Sequence, residues 1–299
     1  MSRATPTAYQ MFYGQNSTNE REVAELERLF YMSVLLPNGT FKTTNEHRLD
    51  DLNKLVNANL PPIRPLNLMD VAVSSGVSTA EWLDSLVEKQ VECQMVAGDL
   101  TAHGFIVSAG FGLKVLTNVD GTPMQFDVRG RAVRVDAGRR ERVVFGVPLL
   151  WLRMAAGLFR LFGGSNSRTM KDAAGLRVAG LDVRPVTLLS KRLGAFKNLE
   201  FIDDDILVDG RFPEKFHVLR AANILNLVYF DRSTLSTMVT NLQRRLHTGG
   251  LLVICRTIEN GLNHATLFRK TEASQFEVVA RLHNGSEIED LVLAMGKTP

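Results

Sequence analysis

The stretch LNLMDVAVSSGVSTAEW, residues 66–82, decides how the rest of the chain is read. Leu66 to Val73 is an apolar run of the length of a buried strand. Asp70 sits near its end, followed by the small residues Ala72, Ser74, Ser75 and Gly76. A helix start comes next, with Ser78 or Thr79 placed to cap it and Glu81 in its first turn. A strand that ends in a small-residue turn and feeds a helix N-terminus points backbone N–H groups outward, with nothing bulky to keep a ligand away. The spacing is not the dinucleotide pattern G-x-G-x-x-G.

Working outward, Val91 to Leu100 (VECQMVAGDL) reads as a second strand closing on Gly98-Asp99. On the other side, Glu20 to Leu36 and about Asn45 to Asn57 carry apolar residues at helical spacing, the first ending at Pro37-Asn38-Gly39. Residues 1–19 read as a polar arm. Further along, Leu199 to Ile202 is a strand running into Asp203-Asp204-Asp205-Ile206. A fourth strand is expected in Phe216 to Leu227. A helix follows it, capped by Asp231 or Ser233 and stopped by Gly249-Gly250, with Leu235, Met238, Val239, Leu242 and Leu246 on its sheet-facing side. Leu251 to Thr257 is a buried fifth strand, and Ala265 to Lys270, Phe276 to Leu282 and Ile288 to Met295 are expected as closing strands.

Residues 101–180 interrupt this pattern as an insertion. Leu113 to Val119 and Met124 to Val128 alternate around Asp120-Gly121 as a hairpin. A short β-type run, Val186 to Leu189, follows the insertion as the regular pattern resumes. Between Arg129 and Arg168 stand nine Arg, no Lys and two acids. The same stretch holds the apolar helix around Leu149 to Phe162, interrupted by Arg153 and Arg160 and closed by Gly163-Gly164-Ser165. It reads in three ways: a lid helix over the active site, an interfacial helix on anionic lipid, or a phosphate-binding face. Too few aromatics alternate with its basic residues to favour nucleic acid.

Composition sets bounds. The chain has 299 residues, 45% hydrophobic and 22% charged, with a net charge of +3, as in ordinary globular proteins. Its two cysteines, Cys93 and Cys255, lie in apolar runs, which fits a reduced, cytoplasmic setting rather than a disulfide framework or a zinc cluster. The N-terminus lacks an apolar core of signal-peptide length.

The spacing Asp70-x-Ala72-x-Ser74-x-Gly76 resembles the D-x-G-x-G-x-G signature of class I S-adenosylmethionine (SAM)-dependent methyltransferases, with Ala and Ser in place of the first two glycines. Arg220 to Gly250 is similar to the fourth strand and following helix of that class, with a local likeness to the enzymes that modify chemotaxis receptors. The resemblance covers about residues 66–100 and 199–296. It implies an α/β fold, a doubly wound seven-stranded Rossmann-like sheet with helices on both faces, an N-terminal arm and helical cap over 1–65, and a methyltransferase domain over 66–299 carrying the insertion. It implies SAM as cofactor, without metal. The implied binding residues are Asp70, Ala72, Ser74, Ser75 and Gly76 at the turn, and Asp99 with Leu100 at the ribose. Asp205 with Ile206, or Asp204, is implied at the adenine, and Arg220 with Ala221 at the mouth. The function expected is methyl transfer to a small-molecule or lipid-like acceptor, with peripheral membrane contact through residues 145–162. The alternatives are a SAM-binding protein without turnover and a membrane-surface methyltransferase. His103, Tyr229 and His264 are base candidates that each read better as structural, and no catalytic residue is assigned.

Overall fold

The structure is a computed structural model and describes residues 4–14, 19–36, 39, 41–42, 45–136, 139–163 and 176–295. The expected stops at Pro37-Asn38 and Gly164-Ser165 lie outside the described residues. The chain divides into two compact units. One joins residues 1–44 to 101–190; the other joins 45–100 to 191–299. The borders between the units fall after residues 44, 100 and 190.

The first unit is built on an antiparallel sheet of order β6-β5-β4-β3-β8-β7. Before it come the helices α1 (Ala8–Tyr13) and α2 (Glu20–Tyr31). Its strands are β3 (His103–Ser108), β4 (Leu113–Asn118), β5 (Pro123–Val128), β6 (Arg131–Arg134), β7 (Leu176–Val178) and β8 (Leu181–Thr187). Both faces are covered, which is why the strands are apolar on both sides rather than alternating. Phe105, Val107, Val115 and Phe126 meet α5 (Arg139–Gly163) through Leu149, Leu152, Ala156 and Phe159. Ile106, Leu116 and Met124 meet α1 and α2 through Ala8, Met11 and Phe30, with Val34 just beyond α2 in the same cluster. Buried Gln125 pins the N-terminal segment, accepting from the Ala8 amide and donating to the Pro6 carbonyl. The first helices thus belong to the insertion's sheet, and the run at 186–189, expected to return to the main sheet, also pairs here.

The second unit carries the expected doubly wound sheet. Its strands are β1 (Leu66–Val71), β2 (Cys93–Asp99), β9 (Leu199–Asp203), β10 (Phe216–Ala222), β11 (Leu246–Thr257), β12 (Asn263–Lys270) and β13 (Phe276–Leu282). The order is β9-β2-β1-β10-β11-β12-β13, with the first five parallel and β12 antiparallel to both β11 and β13. Alternation along β1 sorts the two faces. Leu66 and Leu68 pack with α3 (Asp50–Ala58) and α4 (Val77–Glu88) through Leu52, Val56, Trp82 and Leu86. Met69 and Val71 pack with α6 (Arg232–Arg245) and α7 (Glu289–Ala294) through Leu235, Met238, Leu242 and Val292.

Three local expectations need correction. The expected strand at 288–295 is instead the helix α7 between its caps Ile288 and Met295, because Ile288, Leu291 and Val292 recur at helical spacing and pack beneath α6. The helix α6 ends at Arg245, and Gly249, although left-handed at φ 78°, lies beyond it within β11. Neither Ser78 nor Thr79 caps α4; its N-cap is Gly76, and the Thr79 hydroxyl donates to Asp70 instead.

Candidate functional site

In a doubly wound sheet the strand order reverses at one point, and a crevice opens there at the carboxyl ends of the strands. Here the reversal lies between β1 and β10. The turn after β1 has an unusual backbone. Ala72, Ser74 and Gly76 are all left-handed, with φ of 56°, 57° and 78°. Glycine adopts that conformation freely, whereas Ala and Ser do so at a cost of roughly 1 kcal/mol or more each. The Val73 amide bonds the Gly98 carbonyl, and the Gly76 amide bonds Val73. Ser75 is buried within the turn. The Ser74 amide donates to Asp99 Oδ2 at 2.7 Å, so the turn is tied to the tip of β2.

That contact brings together five of the expected residues: Ala72, Ser74, Ser75, Gly76 and Asp99. Leu100, next to Asp99, is exposed. The others are placed differently. Asp70 is buried and held by Arg220 through Nε at 3.0 Å and Nη2 at 2.5 Å. Arg220 also reaches Asn53 Oδ1 and the Ser78 carbonyl, and lies over the Trp82 ring. This residue therefore points under α3 and α4 rather than lining the mouth, and Ala221 is fully buried in the sheet.

At the tip of β9 the chain turns inward, because the Asp204 amide bonds the Asp99 carbonyl. Asp204 is buried against Arg245 at 2.6 Å, with Arg211 on its other oxygen at 3.2 Å. Ile206 joins the core beneath α6 instead of offering a face to a ring. Asp205 remains exposed, with Oδ1 accepting from the Leu207 amide.

Two side chains of this unit that the sequence did not single out for the site carry buried, unsatisfied polar atoms. Arg48 lies just before the N-cap of α3, Leu49, and its Nε is buried without a hydrogen-bond partner among the described residues. Glu81 accepts from the His47 amide through Oε1, while its buried Oε2 has no partner among the described residues. Burial lowers the Arg48 guanidinium and raises the Glu81 carboxyl from their ordinary values, and each group feels the charge of nearby ionisable side chains. Asn223, also left-handed, joins the tips of β10 and β11 by accepting from the Thr257 amide at 2.7 Å. Burial pushes the Cys255 thiol up to about 12, so it is not a nucleophile.

Exposed apolar side chains follow four strand tips: Leu100, Leu207 with Val208, Leu227 with Val228 and Tyr229, and Leu262. None of the base candidates stands out. His264 stacks on His283, Tyr229 is exposed, and His103 opens β3. His217 lies at the opposite edge of the sheet, its Nδ1 accepting from the Asn67 amide. A cavity of about 340 Å³ also opens at that amino-terminal edge, beside Asn67, Gln94, Asn198, Glu200 and Lys215, away from the turn. Among the described residues no cluster of metal-ligating side chains is present.

No family model and no curated protein matches the chain. Among solved structures it resembles the CMeT domain of the citrinin polyketide synthase at 13% identity and a TM-score of 0.37, covering 84% of this chain and 42% of that one. It resembles the [4+2]-cyclase SpnF at 12% identity and 0.33, covering 71% and 47%. It also resembles the N-methyltransferase NodS from Bradyrhizobium japonicum WM9, solved with S-adenosyl-l-homocysteine (SAH), at 12% identity and 0.32, covering 70% and 60%. The chain thus spans about half the length of these neighbours. Likeness this distant decides nothing about activity, and the reading rests on the chain's own geometry.

Proposed function

We propose that the second unit binds SAM across the carboxyl ends of β1 and β2 and transfers its methyl group to a small-molecule or lipid-like acceptor. The observation that carries this is the turn at 72–76. Its backbone is left-handed at three alternate positions although two of them are not glycine, and its central amide is held by Asp99. Strain kept in a strand-to-helix turn at a switch point suits a ligand cradle better than a plain connection.

SAM supplies an already activated methyl group, so the protein's work is binding, alignment and exclusion of water. Asp99 stands where an acid would accept from ribose hydroxyls. Arg48 Nε and Glu81 Oε2 are two buried, unpartnered atoms of opposite character. They fit the carboxylate and ammonium of an amino-acid end, since an unpaired buried polar atom is costly until a ligand satisfies it. The exposed apolar side chains after β2, β9, β10 and β11 favour an acceptor with an apolar body.

The Cβ atoms of Ala72 and Ser74 favour a second reading, SAM binding without turnover. Calorimetric titration with SAM and SAH tests the proposal. Binding is expected, weakened in Arg48→Ala by about tenfold to a hundredfold, on the scale of a lost charged hydrogen bond. Absence of heat with either ligand, checked by equilibrium dialysis, would overturn it. Binding without methyl transfer to any apolar acceptor would favour the second reading.

A further inference from the structure

The first unit carries an apolar surface that its own core does not use. Helix α5 buries one side against the antiparallel sheet through Leu149, Leu152, Ala155, Ala156 and Phe159. A second side, offset around the helix, is open. Val147 is 81% exposed, Leu150 61%, Met154 51%, Leu161 78% and Phe162 65%. Half-exposed Trp151 and Leu158 fall on the same side. The spacing i, i+3, i+4, i+7 continues along the helix, so these side chains form one stripe about 22 Å long at the helical rise of ~1.5 Å per residue.

A second segment joins it. Phe111, 89% exposed, stands at the β3–β4 turn between Gly110 and Gly112. The Trp151 indole donates to the Ala109 carbonyl at 2.7 Å, which fastens that turn beside the stripe.

Charge says what covers this surface. Residues 145–162 contain no acid, and Arg153 and Arg160 are exposed along one flank of the stripe. The flanking sequence is basic too, with seven further Arg against two acids over 129–144 and 163–168. An apolar stripe edged by arginines and free of acids fits the boundary between acyl chains and anionic headgroups, where guanidinium groups stay among phosphates while the stripe sinks below them. Residues 145–162 have a mean hydropathy of 1.4, enough in length and composition to cross a membrane. The side packed on the sheet argues against crossing, since a spanning helix would give both sides to lipid.

We infer that α5 and the Phe111 turn dock the protein, in the plane of the interface, onto anionic membranes. This holds whether or not the second unit transfers methyl groups. The test is sedimentation with vesicles of phosphatidylcholine, with and without phosphatidylglycerol, at low and high salt. Pelleting is expected only with phosphatidylglycerol, weakening as salt rises. The pair Leu150→Glu and Leu161→Glu should lower partition by about a hundredfold or more, the scale set by two buried apolar side chains. Both positions are exposed, so the pair should leave the far-ultraviolet circular dichroism and melting temperature unchanged. Trp82 is buried in the second unit, so a blue shift of fluorescence on vesicle addition would report Trp151 entering the interface. Equal pelleting of wild type and variant, no pelleting with phosphatidylglycerol at low salt, or a soluble dimer that the same substitutions split would each overturn the inference.

Discussion

Two carboxylates on neighbouring strands of the parallel sheet have opposite fates. Asp70 on β1 is buried and held by Arg220, Thr79 and the surrounding helices; Asp99 on β2, also buried, stands at the strand tip and holds the amide of the turn. The difference comes from face and depth. Asp70 pairs in register with Ala97, two residues below Asp99, and faces α3 and α4, where Arg220 arrives from the adjacent strand. A charge there is kept only because another charge and several hydrogen bonds meet it. At the tip of β2 the same residue type accepts from a backbone amide of the turn. Asp204 repeats the first pattern, locked between Arg245 and Arg211.

The comparison can be broken most forcefully at the buried pair. Arg220→Ala leaves Asp70 charged and buried, and should destabilise the second unit by about 3–5 kcal/mol. Urea denaturation measures this; a loss under 1 kcal/mol would mean that the pair is not structural. Asp99→Ala should do the reverse, costing only about 1 kcal/mol of stability while lowering SAM affinity by about tenfold to a hundredfold. Ser74→Gly and Ala72→Gly remove a Cβ from left-handed backbone and should each raise stability by about 0.5–1 kcal/mol without weakening SAM, against the usual effect of adding glycine. A drop in melting temperature would show that the turn is unstrained.

The smallest effect lies at the far edge of the sheet. Burial, and then the stacked His247 ring, lower His217 from its ordinary 6.5, and Nδ1 must stay unprotonated to accept from Asn67. A group lowered in the folded state contributes stability above its unfolded value and loses it as pH falls through the folded one. Thermal melts should therefore show a modest loss below about pH 6.5 that disappears in His217→Gln.

Much of the second unit was legible because its signals are local. Leu66 to Val71, Cys93 to Asp99 and Leu251 to Thr257 are largely apolar runs of strand length, and Asp231 caps α6 three residues before the Thr234 amide it holds. The first unit was not, because α1 and α2 meet the sheet of 103–187 across a long stretch of intervening chain. The site was legible as a turn but not as a set of partners. Sequence shows that Asp70, Asp204 and Arg220 are present, and only the fold shows that they face arginines or acids at 2.5–3.2 Å. Arg48 gave no signal, since its meaning lies in a buried Nε that no described residue satisfies.

A crystal structure grown with saturating SAH tests the central claim most directly. The account predicts ligand density above Gly76, with the ribose against Asp99 and the amino-acid end at Arg48 and Glu81. Density elsewhere, such as the cavity beside Asn67 and Lys215, or an empty turn with the Ser74–Asp99 contact undisturbed at saturation, would contradict it.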